Sequence, residues 1–120
     1  MLTGEVLDRL ARVVTIDLTT RGRHSGLPRR IEIWWFRVDG RFVITGTPGR
    51  RDWFANVLGH PRVVVHVDGF DIEAPASVVT DLEFRRRVFT GPGLAWYRTQ
   101  AGLEDLLTAA PMIEVHLETG

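Results

Sequence analysis

The chain of 120 residues contains no cysteine and no lysine, and it has no long hydrophobic run. Without cysteine there can be no disulfide, thiolate metal ligand or cysteine nucleophile. No apolar stretch approaches the roughly 20 residues that cross a bilayer. The first twelve residues carry Glu5 and Asp8 where a signal peptide would have a basic head. We therefore expect a cytoplasmic protein with no transmembrane segment, folded as one domain over residues 1–120.

The absence of lysine makes all fifteen basic residues arginines, and these are unevenly placed although the net charge is zero. Residues 21–62 hold nine arginines and three acidic residues, whereas residues 63–120 hold four arginines and nine acidic residues. A single basic segment favours a compact anionic ligand over a nucleic acid, because nucleic-acid-binding domains are usually basic throughout. The charge pattern thus predicts a small anionic ligand and no nucleic acid partner.

Hydrophobic periodicity predicts six short strands and several helices. The strands are expected over residues 13–20, 30–38, 41–47, 62–67, 70–79 and 111–117. The helices are expected over residues 3–12 with Thr3 as N-cap, 53–58 with Asp52 as N-cap, 81–90, and 94–107 in pieces. Two Asp-Gly pairs, at 39–40 and 68–69, are typical of tight hairpins. Strands joined by hairpins indicate a mainly β (α+β) fold, an antiparallel sheet that curls into a small barrel.

Two arginine-rich loops are candidates for an anion site. The first loop, residues 21–30, places basic and hydroxyl side chains around two glycines: Arg23, His24, Ser25 and Arg29. Guanidinium groups match phosphate oxygens bidentately, and glycine lets backbone N–H groups approach an anion. The second loop ends in Arg50 and Arg51, directly before a helix whose N-terminus also favours anions. The two loops could bracket one anion, and the alternative is a solvated basic loop.

Aromatic and charged residues elsewhere have less specific patterns. Trp34 and Trp35 are adjacent on one strand, so they face opposite sides and at least one should pack in the core. Trp53 lies beside the arginine pair, where it could either stack on a planar ligand or pack in the core. Arginines 85–87 are expected to form an exposed helix face. The four histidines have no metal-ligand spacing, so we expect no metal site.

The stretch from Leu18 to Val67 resembles the deazaflavin-dependent nitroreductase family of quinone and nitro reductases, within the split β-barrel flavin binders. The family pattern is a TTxGRxSGxPR loop, a hairpin, a glycine-rich turn, a tryptophan followed by an asparagine, and a final N-P-x-V. The residues that match it are Thr19, Thr20, Gly22, Arg23, Ser25, Gly26, Pro28, Arg29, Gly49, Trp53, Asn56, Pro61 and Val63. His60 takes the place of the last asparagine, and His24 stands where the family often has lysine.

This resemblance implies a six-stranded antiparallel split β-barrel with short flanking helices, similar to FMN-binding and pyridoxamine-phosphate-oxidase-like proteins. It also implies a homodimer and coenzyme F420 as cofactor. The phosphate end of the coenzyme would be held by Arg23, His24, Ser25, Gly26 and Arg29. The deazaflavin ring would be lined by Thr45, Gly46, Thr47, Gly49, Arg50 and Arg51, with Trp53 and Asn56 at the helix start. His24 in place of lysine would make one phosphate contact dependent on pH.

Because a reduced deazaflavin donates hydride, the resemblance implies an F420H2-dependent oxidoreductase. Its partner would be a small-molecule electron acceptor, such as a quinone or a nitro compound, with peripheral membrane contact if the acceptor is a quinone. Tyr97, the only tyrosine, is the candidate catalytic residue as proton donor or substrate contact, and a place in the core or at the surface is its alternative. Two other functions stay open: an FMN-dependent split-barrel enzyme, and a non-catalytic F420- or flavin-binding protein.

Overall fold

A computed structural model of the protein describes residues 3–117. Within this range the chain forms seven strands and five α-helices. The strands are β1 (Thr15–Arg21), β2 (Pro28–Trp34), β3 (Phe36–Val38), β4 (Arg41–Thr45), β5 (Arg62–Val67), β6 (Phe70–Val78) and β7 (Met112–Val115). The helices are α1 (Gly4–Arg12), α2 (Asp52–Gly59), α3 (Leu82–Thr90), α4 (Ala95–Gln100) and α5 (Leu103–Ala109), with a 3-10 turn at Pro92–Leu94.

The strands form one antiparallel sheet in the order β2-β1-β5-β6-β7-β4-β3. Its two edge strands, β2 and β3, are consecutive parts of one run that bends at Trp35. The sheet therefore curls round until its two edges meet in the same stretch of chain, which is how a small barrel removes its edges. The predicted antiparallel barrel is confirmed, but the single strand expected over residues 30–38 is two, so the strands number seven rather than six.

Trp35 causes the bend in this run. Its side chain is 2% exposed and stacks on Phe42 with ring centroids 4.7 Å apart. Its backbone N–H donates to the Val14 carbonyl (2.9 Å), and its indole N–H donates to the Val13 carbonyl (3.1 Å). These contacts draw residue 35 out of the strand pairing, so β2 pairs with β1 while β3 pairs with β4. The prediction that at least one of the adjacent tryptophans packs in the core is confirmed by Trp35, whereas Trp34 is 42% exposed.

Local signals in the sequence account for several turns and helix ends. Both residues of each Asp-Gly turn have positive φ, 51° and 76° at residues 39–40 and 50° and 78° at residues 68–69, as a two-residue hairpin requires. The Thr3 hydroxyl accepts a hydrogen bond from the Val6 N–H at 3.3 Å and caps α1. The expected Asp52 cap is wrong: α2 begins at Asp52, and the N-cap position is Arg51. Asp52 instead places an acidic group in the first turn, where the helix dipole favours it.

Hydrophobic residues form two cores on opposite sides of β4. Phe42 and Ile44 point into the barrel core, whereas Val43 packs against the helices α3, α4 and α5 in a second core. All three side chains are at most 4% exposed, which explains the unbroken apolar run of this strand. The second core includes Tyr97. The helical layer is therefore the element that brings this tyrosine to the barrel.

The expected exposed face of three arginines on α3 is only partly present. Arg86 and Arg87 are exposed, but Arg85 is 6% exposed and lies beside the buried Phe84. Its guanidinium donates to backbone carbonyls at the end of α5. The hydrophobic pattern of α3 alone does not reveal this contact. The prediction was wrong for Arg85 because a long side chain can be buried when tertiary structure supplies acceptors for its N–H groups.

Candidate active site

Two adjoining cavities meet at Trp53. The first, which we call the arginine cavity, has a volume of about 690 Å³ and lies between the loop of residues 21–30 and the start of α2. The second, which we call the tyrosine cavity, has a volume of about 310 Å³ and lies between β2, the loop after β4, and α4. Both volumes suit small-molecule sites. Trp53, itself 8% exposed, lines both cavities and so joins them into one extended groove.

The arginine cavity collects most of the residues expected at the phosphate end. Those that line it are Arg23, His24, Ser25, Arg29, Trp53 and Asn56. Gly26 shapes the loop: at φ 69° it makes a turn in which its N–H donates to the Gly22 carbonyl at 2.8 Å. The Ser25 hydroxyl accepts from the Leu27 N–H at 3.1 Å, which leaves its own O–H as a donor. The Ser25 O–H and the guanidinium groups in the lining are donors that suit an anion.

Asn56 fixes this loop to α2. It is 4% exposed, and its Oδ1 accepts from both the Arg23 backbone N–H (3.1 Å) and the Arg23 guanidinium (3.0 Å). Its Nδ2 donates to the hydroxyl of Thr20 at 3.2 Å. A buried side-chain amide is held in place by its hydrogen-bond partners, and the amide of Asn56 links α2 to the loop in this way. Asn56 therefore orients Arg23, whose Nη2 lies 3.4 Å from an Asp52 carboxylate oxygen.

Positive charge dominates the arginine cavity. Three guanidinium groups line it, those of Arg23, Arg29 and Arg30, and Asp52 is the single acidic residue in the lining. Arg30 is paired with Asp17 at 2.9 Å. Arg29 is exposed, and its side chain makes no hydrogen bond or ion pair with any residue between 3 and 117. Its N–H groups can thus meet an anion without breaking an existing contact with these residues.

The loop after β4 forms one wall of the tyrosine cavity, with Thr45, Gly46, Thr47 and Arg51. The Thr45 hydroxyl donates to the Pro111 carbonyl at 2.6 Å, and this ties the loop to the strand β7. Arg51 donates through Nη2 to the Thr47 carbonyl (3.1 Å) and hydroxyl (2.7 Å). These bonds give the wall a fixed shape and hold the Arg51 guanidinium at the cavity.

Tyr97 lines the opposite wall among aromatic rings. It is 4% exposed, and its ring lies edge-to-face with Trp96 (5.2 Å between centroids) and Trp34 (6.1 Å). Burial raises the pKa of the Tyr97 hydroxyl, because removal from water disfavours the phenolate. Trp34 and Trp96, 42% and 50% exposed, line the same cavity. The sequence patterns did not indicate either tryptophan for the site, since only the barrel brings β2 and α4 together.

Two of the expected ring contacts lie elsewhere. Gly49 lines a third cavity, which opens between α3, α5 and the start of β7. Arg50 is exposed and lines neither the arginine nor the tyrosine cavity.

Over residues 3–117, no group of three or more histidine, aspartate or glutamate side chains is placed to hold a metal ion. The same part of the chain contains no helix that is both long enough and apolar enough to cross a bilayer.

The architecture is that of the split β-barrel proteins. A putative pyridoxamine 5'-phosphate oxidase from Listeria innocua superposes with a TM-score of 0.72 at 15% identity, covering 96% of this chain and 92% of that one. An F420-H2 dependent reductase superposes with a TM-score of 0.64 at 20% identity, covering 86% and 94%. A chain described as a domain-swapped dimer gives 0.64 at 20% identity, covering 95% and 87%. These likenesses confirm the predicted fold class.

The family description F420H(2)-dependent quinone reductase matches residues 1–104. The chain belongs to this family. It is an enzyme, an F420H2-dependent oxidoreductase whose cofactor is coenzyme F420, as the resemblance of residues 18–67 implied.

Proposed function

We propose that this enzyme binds reduced F420 along both cavities and passes hydride to a quinone, a nitro compound or another electron-poor acceptor. One observation carries the proposal: Trp53 is a wall of both cavities, so a single elongated ligand can place an anionic end in one and a planar end in the other. Arginine guanidinium groups line the first cavity, and aromatic side chains line the second. This polarity matches a coenzyme with a phosphate-bearing acidic tail and a deazaflavin ring.

The arginine cavity would hold the tail. Arg29 has no competing contact within residues 3–117, and Arg23 is oriented by Asn56, so both guanidinium groups can donate to phosphate oxygens. The Ser25 hydroxyl and His24 line the same space. Asp52 lies at the edge and would repel the tail from Arg23 unless the Arg23 side chain shifts toward the ligand. We therefore assign Arg29 the larger share of the binding.

The tyrosine cavity would hold the ring and the acceptor. The bound, reduced coenzyme supplies the hydride. Arg51, fixed by Thr47, lines the wall beside the ring, and Trp34 and Trp96 offer exposed aromatic rings that a planar acceptor can contact. Tyr97 is protonated at neutral pH, as an ordinary tyrosine is, and burial raises its pKa further, so its O–H can donate a hydrogen bond to an acceptor oxygen as negative charge develops.

The proposal is tested by following F420H2 oxidation by absorbance with menaquinone, nitroimidazole and enone acceptors. Arg29→Ala should weaken coenzyme binding about tenfold, the lower end for a hydrogen bond to a charged group, because this side chain is exposed. Arg62→Ala is the matched control, since Arg62 is an exposed arginine paired with Glu73 outside both cavities. No turnover of any acceptor, or equal coenzyme affinity in the two variants, contradicts the proposal.

We also propose that the enzyme is a cytoplasmic homodimer that meets a membrane only at its surface, when the acceptor is a lipid-soluble quinone. The likeness to a chain described as a domain-swapped dimer supports the dimer. Sedimentation equilibrium of the full chain measures this directly, and the dimer is contradicted by a mass that stays near 13.6 kDa over the concentration range.

A further inference from the structure

The third cavity has a volume of about 570 Å³, and none of its lining residues lines the arginine or the tyrosine cavity. Its walls come from the end of β6, the start of α3, the end of α5 and the start of β7. Most of the side chains that line it are apolar: Phe54, Val78, Val79, Leu82, Leu107, Ala109, Ala110, Pro111 and Met112. Leu82 is 56% exposed although it is a large hydrophobic residue. An apolar cavity of this volume falls within the usual range of small-molecule sites.

One charged side chain, that of Arg85, belongs to the lining. It is 94% buried, and its guanidinium donates to four backbone carbonyls, those of Val79, Leu106, Leu107 and Ala110. No acidic side chain between residues 3 and 117 forms an ion pair with it. A guanidinium carries five N–H groups, so these four bonds leave one N–H of Nη1 without a protein acceptor in that range.

Among residues 3–117, only the partial charges of backbone carbonyls balance the charge of Arg85. Three of its four acceptors are carbonyls at or just after the last turn of α5, where the helix dipole is negative but smaller than a full charge. Burial lowers the pKa of Arg85, since desolvation disfavours its charged form. An anion in the cavity would supply the missing full negative charge, and the surrounding apolar walls would suit a hydrocarbon chain.

We propose that this cavity binds a small amphiphilic monoanion, an aliphatic carboxylate. Its head accepts the remaining N–H of Arg85, and its tail lies along Leu82 and Ala109 at the mouth. The site is distinct from the proposed coenzyme groove: of the residues in the arginine-rich loops, Gly49 alone lines it. Binding here is therefore expected with no coenzyme present.

Isothermal titration of the full chain without coenzyme tests the proposal, with decanoate as the probe and decan-1-ol as the uncharged probe with the same tail. Decanoate should bind saturably at one site, and decan-1-ol should bind at least about tenfold more weakly because it offers no charge to Arg85. The proposal is overturned if the wild-type protein shows no saturable decanoate binding or binds the two probes equally. Neither outcome requires a variant.

Variants locate the site. Ala109→Trp adds bulk at an exposed position in the lining and should weaken decanoate binding at least about tenfold while circular dichroism and F420 affinity stay unchanged. Glu104→Trp is the matched control, because residue 104 is exposed on the same helix outside the cavity lining. Arg85→Met, where it folds, should lose the preference for decanoate over decan-1-ol. Equal decanoate affinity in Ala109→Trp and Glu104→Trp overturns the assignment to this cavity.

Discussion

Tyr97 owes its chemical character to the rings that surround it. Phe36 and Phe89 pack on it from the second core, and Trp34 and Trp96 pack on it from the cavity side. These neighbours remove water from the phenol without offering it a charge, and this is why its pKa moves upward. A phenol whose pKa is raised stays protonated, so it can donate a hydrogen bond to the acceptor but is not available as a base.

Tyr97→Phe should slow acceptor reduction while leaving F420 affinity unchanged, because it removes the hydroxyl and keeps the ring that packs in the second core. In the wild-type enzyme, activity that depends on this proton should fall only at a pH above the ordinary tyrosine value of about 10, since deprotonation is shifted upward. Stopped-flow rates across pH measure both effects.

The control for Tyr97→Phe is Phe36→Leu, which alters a neighbour of Tyr97 and leaves the hydroxyl in place. If Tyr97→Phe reduces the acceptor as fast as the wild type at every pH, the residue is a packing residue and not a proton donor.

At the scale of elements, the loop of residues 21–30 and the helix α2 act as one unit. Asn56, on the second turn of α2, accepts two hydrogen bonds from Arg23 and donates one to Thr20 on β1. A Cβ added at Gly59 would lie only 3.2 Å from the Arg23 Cβ, so the loop also packs closely on the end of this helix. The arginine cavity is thus formed by two elements that a single side chain joins.

Asn56→Ala should destabilise the fold by about 1–3 kcal/mol, because it leaves the part-buried Arg23 N–H and the buried Thr20 hydroxyl without their partner. It should also weaken F420 binding, because Arg23 loses its orientation. Urea unfolding and absorbance titration measure the two effects.

Asn56→Asp keeps the acceptor for Arg23 and serves as the conservative comparison, with an intermediate loss of stability expected. An Asn56→Ala protein that unfolds at the wild-type urea concentration would show that the loop is held by other contacts.

At the scale of the whole molecule, the closed barrel gathers the basic segment of residues 21–62 around one groove. Arg23 comes from the loop before β2, Arg29 comes from the start of β2 itself, and Arg51 comes from the N-cap of α2. Over residues 3–117 most acidic groups of the C-terminal half lie outside this groove. A local positive field in a neutral protein attracts a polyanionic ligand without making the whole surface basic.

Coenzyme affinity should therefore fall as salt rises from about 0.1 M to about 1 M, over which the screening length drops from about 10 Å to about 3 Å. Coenzyme affinity should depend less steeply on salt in Arg29→Ala than in the wild type, and as steeply in Tyr97→Phe, since only the first substitution removes a charge. Absorbance titrations at several salt concentrations measure the slopes, and an affinity independent of salt would contradict the role of the groove.

Elements with local sequence signals were predictable before the fold was known. The two Asp-Gly hairpins, the Thr3 cap and the strand Arg62–Val67 were read from turn chemistry and from alternation along the chain. The resemblance of residues 18–67 also indicated the family and its coenzyme, because the motif residues lie within one continuous stretch. Such features depend on neighbours a few positions apart, and the sequence records those neighbours directly.

Features that depend on distant parts of the chain become visible only in the folded protein. Trp35 divides a predicted strand because the barrel core accepts its side chain, and Arg85 is buried because the end of α5 supplies carbonyl acceptors. Trp34 and Trp96 meet at the tyrosine cavity only when β2 and α4 pack together. Burial and hydrogen bonding follow from which elements come into contact, and separation along the sequence does not reveal these contacts.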